Sequence, residues 1–375
     1  MHSNTNQSHS YTPLSDKTLV AAANWKGASR LIAIDTDDGS WRYLADEDVA
    51  NQIAYDCLMR IDETHLIGVF SGSHSTDAVW LVDAANPQAN KVVRHAQDLQ
   101  LSDSWFSKPE LLSVSSKGAP SRTIHSFLWM PHNPDFQAPA DALPPLIVAT
   151  HGGPTGHWGP GLRLRTQYFT TRGYAVLLLN YHGSTCHGRA YRQALWGTWG
   201  LLDTDDGTEM AAHLIAAGRI RPGAVGCTGL SAGGYHTLSS VTRHPSFYAG
   251  AVDVSGICDL LTFDEGTHKL EWNYTDALVI AHEAATQEER QAVYRERSAL
   301  FHTDAIRTPL LILHAKQDMV VPMNQATDVY EALRAQGKDV RLVKVDDDGH
   351  SLGKPRSAKI WLEEEEKWWR KTLIG

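Results

Sequence analysis

Gly229-Leu230-Ser231-Ala232-Gly233-Gly234 is the stretch that decides how this 375-residue chain is read. The residues before it, Ala224-Val225-Gly226-Cys227-Thr228, are small and mostly apolar and are expected to form a short buried strand. Those after it, Tyr235 to Val241, suit a helix that stops before Pro245. A serine held between glycines at a strand-to-helix turn is a nucleophile elbow. Such a turn has no room for a Cβ at Gly229 or Gly233, and it lifts the Ser231 hydroxyl clear of the backbone. The backbone N–H of Ala232 then opens the helix and faces any oxyanion formed on a substrate. Glycine and serine also make ordinary turns, so the rest of the chain has to decide.

The same serine needs partners, and the order of the chain supplies them. From Leu146 onward, apolar strands alternate with helical stretches, the signature of a parallel sheet with crossover helices. The expected strands are Leu146–Thr150, Ala175–Leu179, the elbow strand, Ala249–Val254, Pro309–Leu313 and Val340–Val345. Thr208–Ala217 and Ala326–Gln336 read as helices. Ser357–Leu373 reads as another, with Trp361, Trp368 and Trp369 on its core face and Glu363–Glu366 on its solvated side. Leu313-His314-Ala315-Lys316-Gln317-Asp318 leaves one strand and puts Asp318 in the loop beyond it; Val345 to His350 does the same one strand later. Ser231, Asp318, His350 is the order of nucleophile, acid and base in an α/β hydrolase, each at a strand's C-terminal edge. His350 would take the Ser231 proton, and Asp318 would fix its tautomer. Asp346, Asp347 and Asp348 lie too near His350 along the chain to approach its ring from behind, and read as turn residues. His151-Gly152-Gly153-Pro154, just past the strand ending at Thr150, brings a second backbone donor, Gly153, to pair with Ala232 in an oxyanion hole.

Ahead of this region the pattern is different. Residues 1–10 are polar and expected to be disordered. Thr18–Ala23, Arg30–Asp35 and Trp41–Leu44, then His65–Phe70, Ala78–Asp83 and Lys91–Val93, are short strands separated by turns. Asp35 and Asp83 lie 48 positions apart, and Leu19 and Leu66 lie 47 apart. That is the period of a β-propeller blade, and about two blades are visible over residues 11–112. The stretch Asp35-Thr36-Asp37-Asp38-Gly39 lacks the later ligands of a calcium loop and reads as a hairpin turn. The organisation expected is therefore a disordered 1–10, a partial propeller over 11–112 and an α/β-hydrolase domain over 113–375. Two blades do not close a ring, so Leu31, Ile32, Val79 and Leu81 are expected to be poorly covered and to promote self-association.

Composition limits the partners. The chain is 42% hydrophobic and 21% charged, with a net charge of −9, which argues against nucleic acid or an anionic membrane. Residues 1–112 hold 8 Lys/Arg against 15 Asp/Glu, so most of the excess acid lies there, on what read as solvated turns. Cys57, Cys186, Cys227 and Cys258 have no C-x-x-C spacing and read as free thiols of a reducing compartment. No secretory leader and no membrane-spanning run is seen, so a cytoplasmic location is expected.

Taken together, Thr150–Pro154, Asn180-Tyr181-His182-Gly183-Ser184-Thr185, Gly188–Tyr191 with Trp199-Gly200, Gly229–Tyr235, His314–Pro322 and Asp348-Gly349-His350 resemble the prolyl oligopeptidase family of serine peptidases, in its acylaminoacyl-peptidase and dipeptidyl-peptidase-like branch. The resemblance covers nearly all of residues 110–375. It implies hydrolysis of short peptides through an acyl-serine, no cofactor, and a propeller that caps the catalytic face. It also shows departures. His182 stands where the family usually has arginine, Cys186-His187 where it has Gly-Tyr, Ala315 where it has glycine, and Val320 where some members have arginine. Relative to that family the chain starts near the propeller's end, which leaves two other readings open: a carboxylesterase with the same triad, and a fragment without physiological activity.

Overall fold

The computed structural model describes residues 10–45, 52–53, 58–117, 121–266, 274–280 and 285–375. Residues 1–9 and Cys57, on which two of the expectations above fall, lie outside the described residues. The chain divides into two compact units, Met1–Pro109 with Gly159–Gln167, and Glu110–Trp158 with Tyr168–Gly375.

The first unit holds two antiparallel sheets among its described residues. In one, β1 (Tyr11–Pro13), β2 (Thr18–Trp25), β3 (Ala28–Asp35) and β4 (Trp41–Tyr43) pair in sequence order. In the other, β5 (Gln52–Ile53) and β6 (Met59–Arg60) both pair with β7 (His65–Ser71), which is followed by β8 (Ala78–Asp83) and β9 (Lys91–His95). Burial alternates along β3, as a sheet with one packed face requires. The turn after β3 is built by its own acids: Asp35 Oδ1 accepts Asp37 N–H, and Asp38 Oδ1 accepts Ser40 N–H, both at 2.8 Å. Leu31, expected to be poorly covered, is 1% exposed, because it packs with Val20, Leu44, Leu66 and Val82 in the unit's core.

The second unit is built on an eight-stranded sheet, counted over the described residues. Its strands are β10 (Pro109–Ser115), β11 (Thr123–Trp129), β12 (Leu146–Thr150), β13 (Ala175–Asn180), β14 (Val225–Leu230), β15 (Gly250–Val254), β16 (Leu310–Ala315) and β17 (Val340–Val345). They lie in the order β10-β11-β13-β12-β14-β15-β16-β17, parallel from β13 to β17, with β11 antiparallel to β13. β12, β13 and β16 are buried at every position, which is why they read as unbroken apolar runs. Alternate residues of the strands feed two cores. Val148, Leu177, Cys227, Ala251 and Ile312 face one side, Ile147, Leu178, Val252 and Leu313 the other. This is the α/β-hydrolase fold, following an all-β unit.

The helices are α1 (Leu164–Thr170), α2 (Arg189–Gln193), α3 (Leu202–Ala216), α4 (Ala232–Arg243), α5 (Leu260–Gly266), α6 (Tyr274–Val279), α7 (Gln287–Arg297), α8 (Asn324–Ala335) and α9 (Pro355–Trp369). Met210 and Leu214 of α3, Leu238 and Val241 of α4, and Val329 and Leu333 of α8 fill the first core; Trp368 and Trp369 of α9 fill the second. One expectation fails on α9. Glu365 is fully buried, not solvated, because its Oε1 accepts the Trp369 indole N–H at 3.0 Å. Glu366 is drawn in as well, by Tyr168 and Arg172. A buried indole needs an acceptor, and the residue one turn earlier provides it. Among the described residues no helix is long and apolar enough to cross a membrane.

Candidate active site

Ser231 stands between β14 and α4 with φ 62° and ψ −121°, a backbone conformation sparsely populated by any residue with a side chain. Its neighbours hold it there. Ser231 N–H donates to Val254 O at the end of β15 (2.9 Å), and Tyr235 N–H donates back to Ser231 O (2.9 Å). A Cβ on Gly229 would lie 2.4 Å from the Gly233 carbonyl, and one on Gly233 would lie 2.6 Å from Thr150 O. Both glycines are thus demanded by the close approach of β12 and the first turn of α4, as the elbow reading anticipated. Ala232 is the first residue of α4, where a backbone N–H has no acceptor within the helix.

The loop after β12 reaches the same place. A Cβ on Gly152 would lie 3.1 Å from Leu230 O and 3.5 Å from Ser231 Cβ, so this loop abuts the elbow. His151 Nδ1 lies 2.9 Å from Gly152 O, and since a carbonyl only accepts, the contact requires the Nδ1–H tautomer. The peptide whose carbonyl is held in this way carries the Gly153 N–H on its opposite side. His151 therefore sets the plane of the peptide that carries the Gly153 N–H. Ser184 Oγ meets His151 Nε2 at 2.7 Å, and the Tyr181 ring stacks on the imidazole at 4.4 Å while its hydroxyl donates to Pro154 O at 3.0 Å. Burial pushes the His151 imidazolium down to about 3, so the ring is neutral.

Asp318 and His350 meet beyond β16 and β17. His350 Nδ1–H donates to Asp318 Oδ2 at 2.7 Å. Asp318 Oδ1 accepts two backbone donors, Val320 N–H and Val321 N–H, each at 2.9 Å. Burial pushes the Asp318 carboxyl up, but the His350 bond and these two amides outweigh it and hold the carboxyl below its usual range. His314 adds a support that the sequence reading passed over: its Nε2–H donates to Val321 O at 2.9 Å and closes the loop that carries Asp318. The visible signal was a lone polar residue in an apolar strand. Asp346 pairs with Lys316 at 2.6 Å, away from the imidazole. Asp348 accepts Gly349 N–H at 2.8 Å and Lys354 N–H at 2.9 Å and so shapes the turn that presents His350.

Ser231, Asp318 and His350 thus end three strands of one sheet, with Gly153 and Ala232 beside the serine. No hydrogen bond joins Ser231 Oγ to His350 among the described residues, and such contacts are commonly long without substrate. Where the resemblance puts arginine, His182 Nδ1 and N–H both reach Asp206 Oδ2 at 2.7 Å inside the protein. Among the described residues no cluster of His, Cys, Asp and Glu has the arrangement of a metal site.

Residues 160–375 match the Prolyl oligopeptidase family. A dipeptidyl aminopeptidase BIII of Pseudoxanthomonas mexicana is 30% identical over 243 residues, covering 64% of this chain and 35% of that one. An uncharacterized peptidase, YuxL, of Bacillus subtilis is 28% identical over 299 residues, 79% of this chain and 43% of that one. Among solved structures, a puromycin-hydrolyzing peptidase of Mycobacterium tuberculosis is similar with a TM-score of 0.90 at 30% identity, covering 98% of this chain and 54% of that one. The chain spans between about a third and a half of the length of these relatives. With the family matched over more than half of its residues, and the elbow, acid and histidine in their strand-end places, the chain belongs to the prolyl oligopeptidase family.

Proposed function

We propose that this chain is a serine peptidase of acylaminoacyl-peptidase or oligopeptidase type, hydrolysing short peptides through an acyl-enzyme on Ser231. The observation that carries the reading is the 2.7 Å Asp318–His350 bond at the edge of the sheet whose β14 ends in the strained serine. His350 Nε2 takes the hydroxyl proton as Ser231 Oγ attacks the peptide carbonyl carbon. The negative charge on the carbonyl oxygen is met by the N–H groups of Gly153 and Ala232. The imidazolium, stabilised by ionised Asp318, protonates the departing amine, and water then repeats the sequence to release the acid. No step calls for a cofactor. Relatives named as a dipeptidyl aminopeptidase, an acylamino-acid-releasing enzyme and a puromycin-hydrolyzing peptidase support peptide-like substrates.

Matched peptide anilides and p-nitrophenyl esters, assayed side by side, test the substrate class. The chain is expected to turn over the anilide of a short N-acylated peptide, with the activity lost on fluorophosphonate treatment. Ready hydrolysis of esters with no cleavage of any anilide would make it a carboxylesterase instead.

The division into a blade-built unit over residues 11–112 and a catalytic domain over 113–375 belongs to the same proposal, supported by two sheets of sequential antiparallel strands. Trp25, Trp41 and Tyr43 are 70%, 58% and 51% exposed, and the last two lie on the edge strand β4. Exposed aromatics along a sheet edge favour association of copies. Light scattering is expected to show a molar mass that rises with concentration, and Trp41→Lys should suppress the rise. A chain that stays monomeric throughout would overturn this part. Cys227 and Cys258 are free thiols, which supports a reducing, cytoplasmic setting.

A further inference from the structure

Asp253 is an acid in an apolar strand, one position before the Val254 carbonyl that holds Ser231 N–H. It is completely buried, and neither of its carboxyl oxygens has a well-formed hydrogen bond among the described residues, although the Gly256 N–H lies near enough to act on it. Its place in β15 puts it opposite Gly229 of β14 and Ile312 of β16, on the face that α4 covers. Space for it has been cleared. A Cβ on Gly234, in the first turn of α4, would lie 2.4 Å from Asp253 Oδ1, and one on Gly256 would lie 2.1 Å from the same atom. The carboxyl is therefore wedged between the turn that follows Ser231 and the loop that follows β15. Few places in a fold are worse for an unpaired carboxylate, and a group in such a place keeps its proton.

We propose that Asp253 is a positioning residue of the elbow: its neutral carboxyl wedges the first turn of α4 in place, and its ionisation puts a negative charge beneath the oxyanion donors and slows acylation of Ser231. The proposal rests on Ser231 being the nucleophile. Burial pushes the Asp253 carboxyl up to about 7, against the pull of the Gly256 N–H. Among the described residues no cationic side chain acts on it. The elements packed around it carry Cys227 on β14, Tyr235, His236 and, in the last turn, Arg243 on α4, His314 on β16, and Cys258 and Asp259 in the following loop; α9, with its buried Glu365, lies on the opposite face of the sheet. Burial keeps His236 and His314 neutral, with their Nε2–H groups given to Asp203 O and Val321 O. The Cys258 thiol is itself raised by burial and then by nearby acids, Asp253 among them. A charge on Asp253 would oppose the charge developing on the substrate oxygen, and it would compete for the positive end of α4.

Deprotonation of a general base only raises the rate with pH. A fall at higher pH belongs to a second group. The experiment is the rate of Ser231 labelling by a fluorophosphonate across about pH 5 to 9, with the adduct located by mass spectrometry. The parent rate is expected to rise, then fall on the order of tenfold above pH 7, as for a charge gained close by in a partly screened interior. Asp253→Asn, nearly the same shape and never charged, should keep the rate at pH 6 within a few-fold and abolish the fall. Should that variant not fold, Asp253→Ala takes its place: it should also lose the fall, but with the wedge gone its rate at pH 6 should lie below that of the parent. Asp203, also buried and pushed up to about 7, is the rival group, so Asp203→Asn should leave the fall intact. Ser231 labelling with the fall retained in the Asp253 variant, or abolished by Asp203→Asn instead, overturns the proposal alone. An adduct on another serine overturns the nucleophile reading as well.

Discussion

Ser231→Ala is expected to lower turnover on the order of 10⁶-fold while leaving the fold and its thermal midpoint unchanged. Alanine keeps the Cβ, so the φ of 62° that the elbow imposes is no harder for the variant than for the parent. The Oγ makes no hydrogen bond among the described residues, and the braces at the turn are backbone contacts: Ser231 N–H to Val254 O, and Tyr235 N–H to Ser231 O. Nothing that holds the protein together is removed; only the hydroxyl proposed to attack is. Gly153, Ala232 and the substrate contacts remain, so a residual rate above that of water should survive. The measurement is kcat on a peptide anilide beside a thermal melt. A variant within a hundredfold of the parent would mean that another group attacks the carbonyl. A large loss accompanied by a fallen melting temperature would mean that the hydroxyl serves the structure.

What could be read from the sequence was local, and what escaped it depended on contacts across the fold. Gly229 and Gly233 flank Ser231 within one turn, so the demand for glycine shows in the order of residues. β12, β13 and β16 are covered on both faces and so appear as apolar runs whatever their neighbours are. Asp318 was singled out because it follows such a run, and His350 because a Gly-His pair follows β17, which is only partly buried. By contrast, α5 to α7 between residues 260 and 297 gave no sign; α7 carries six charged residues among its eleven and buries only Tyr294. It is fixed at its start by a capping box of Thr286 and Glu289, which sequence periodicity does not report. Glu365 was misplaced because a helix face crowded with glutamates reads as solvent-facing until Trp369 is known to need an acceptor. The His151–Ser184 bond joins residues 33 apart in two different loops, and only the pairing of β12 with β13 brings them together. Asp253 was in view as an acid in an apolar strand, but its significance depends on which face of β15 it occupies.

The second large effect is expected at Asp318, and the hydrogen bonds around it say how an amide would sit. Oδ1 already accepts Val320 N–H and Val321 N–H, so in Asp318→Asn the amide oxygen must take that side. The amide NH₂ then falls where Oδ2 was, 2.7 Å from His350 Nδ1. Two donors cannot share that line, so Nδ1 must become the acceptor and the imidazole proton must move to Nε2. A ring protonated at Nε2 cannot take the Ser231 proton. Loss of the carboxylate also removes the charge that stabilises the imidazolium, and the combined cost is about 10⁴ in kcat. The change should fall on kcat, with KM little altered, because no substrate contact is lost. Stability responds separately. The folded carboxyl lies below its usual range, so it contributes stability above the unfolded value that is lost as pH falls through the folded one. Asp318→Asn should therefore melt lower than the parent near neutral pH, with the gap closing in acid. The neighbouring acids supply the control, since Asp346→Asn and Asp347→Asn touch a surface pair and an exposed turn. If either proved as damaging to kcat as Asp318→Asn, or if Asp318→Asn stayed within tenfold of the parent, the acid that orients His350 would have to be sought elsewhere.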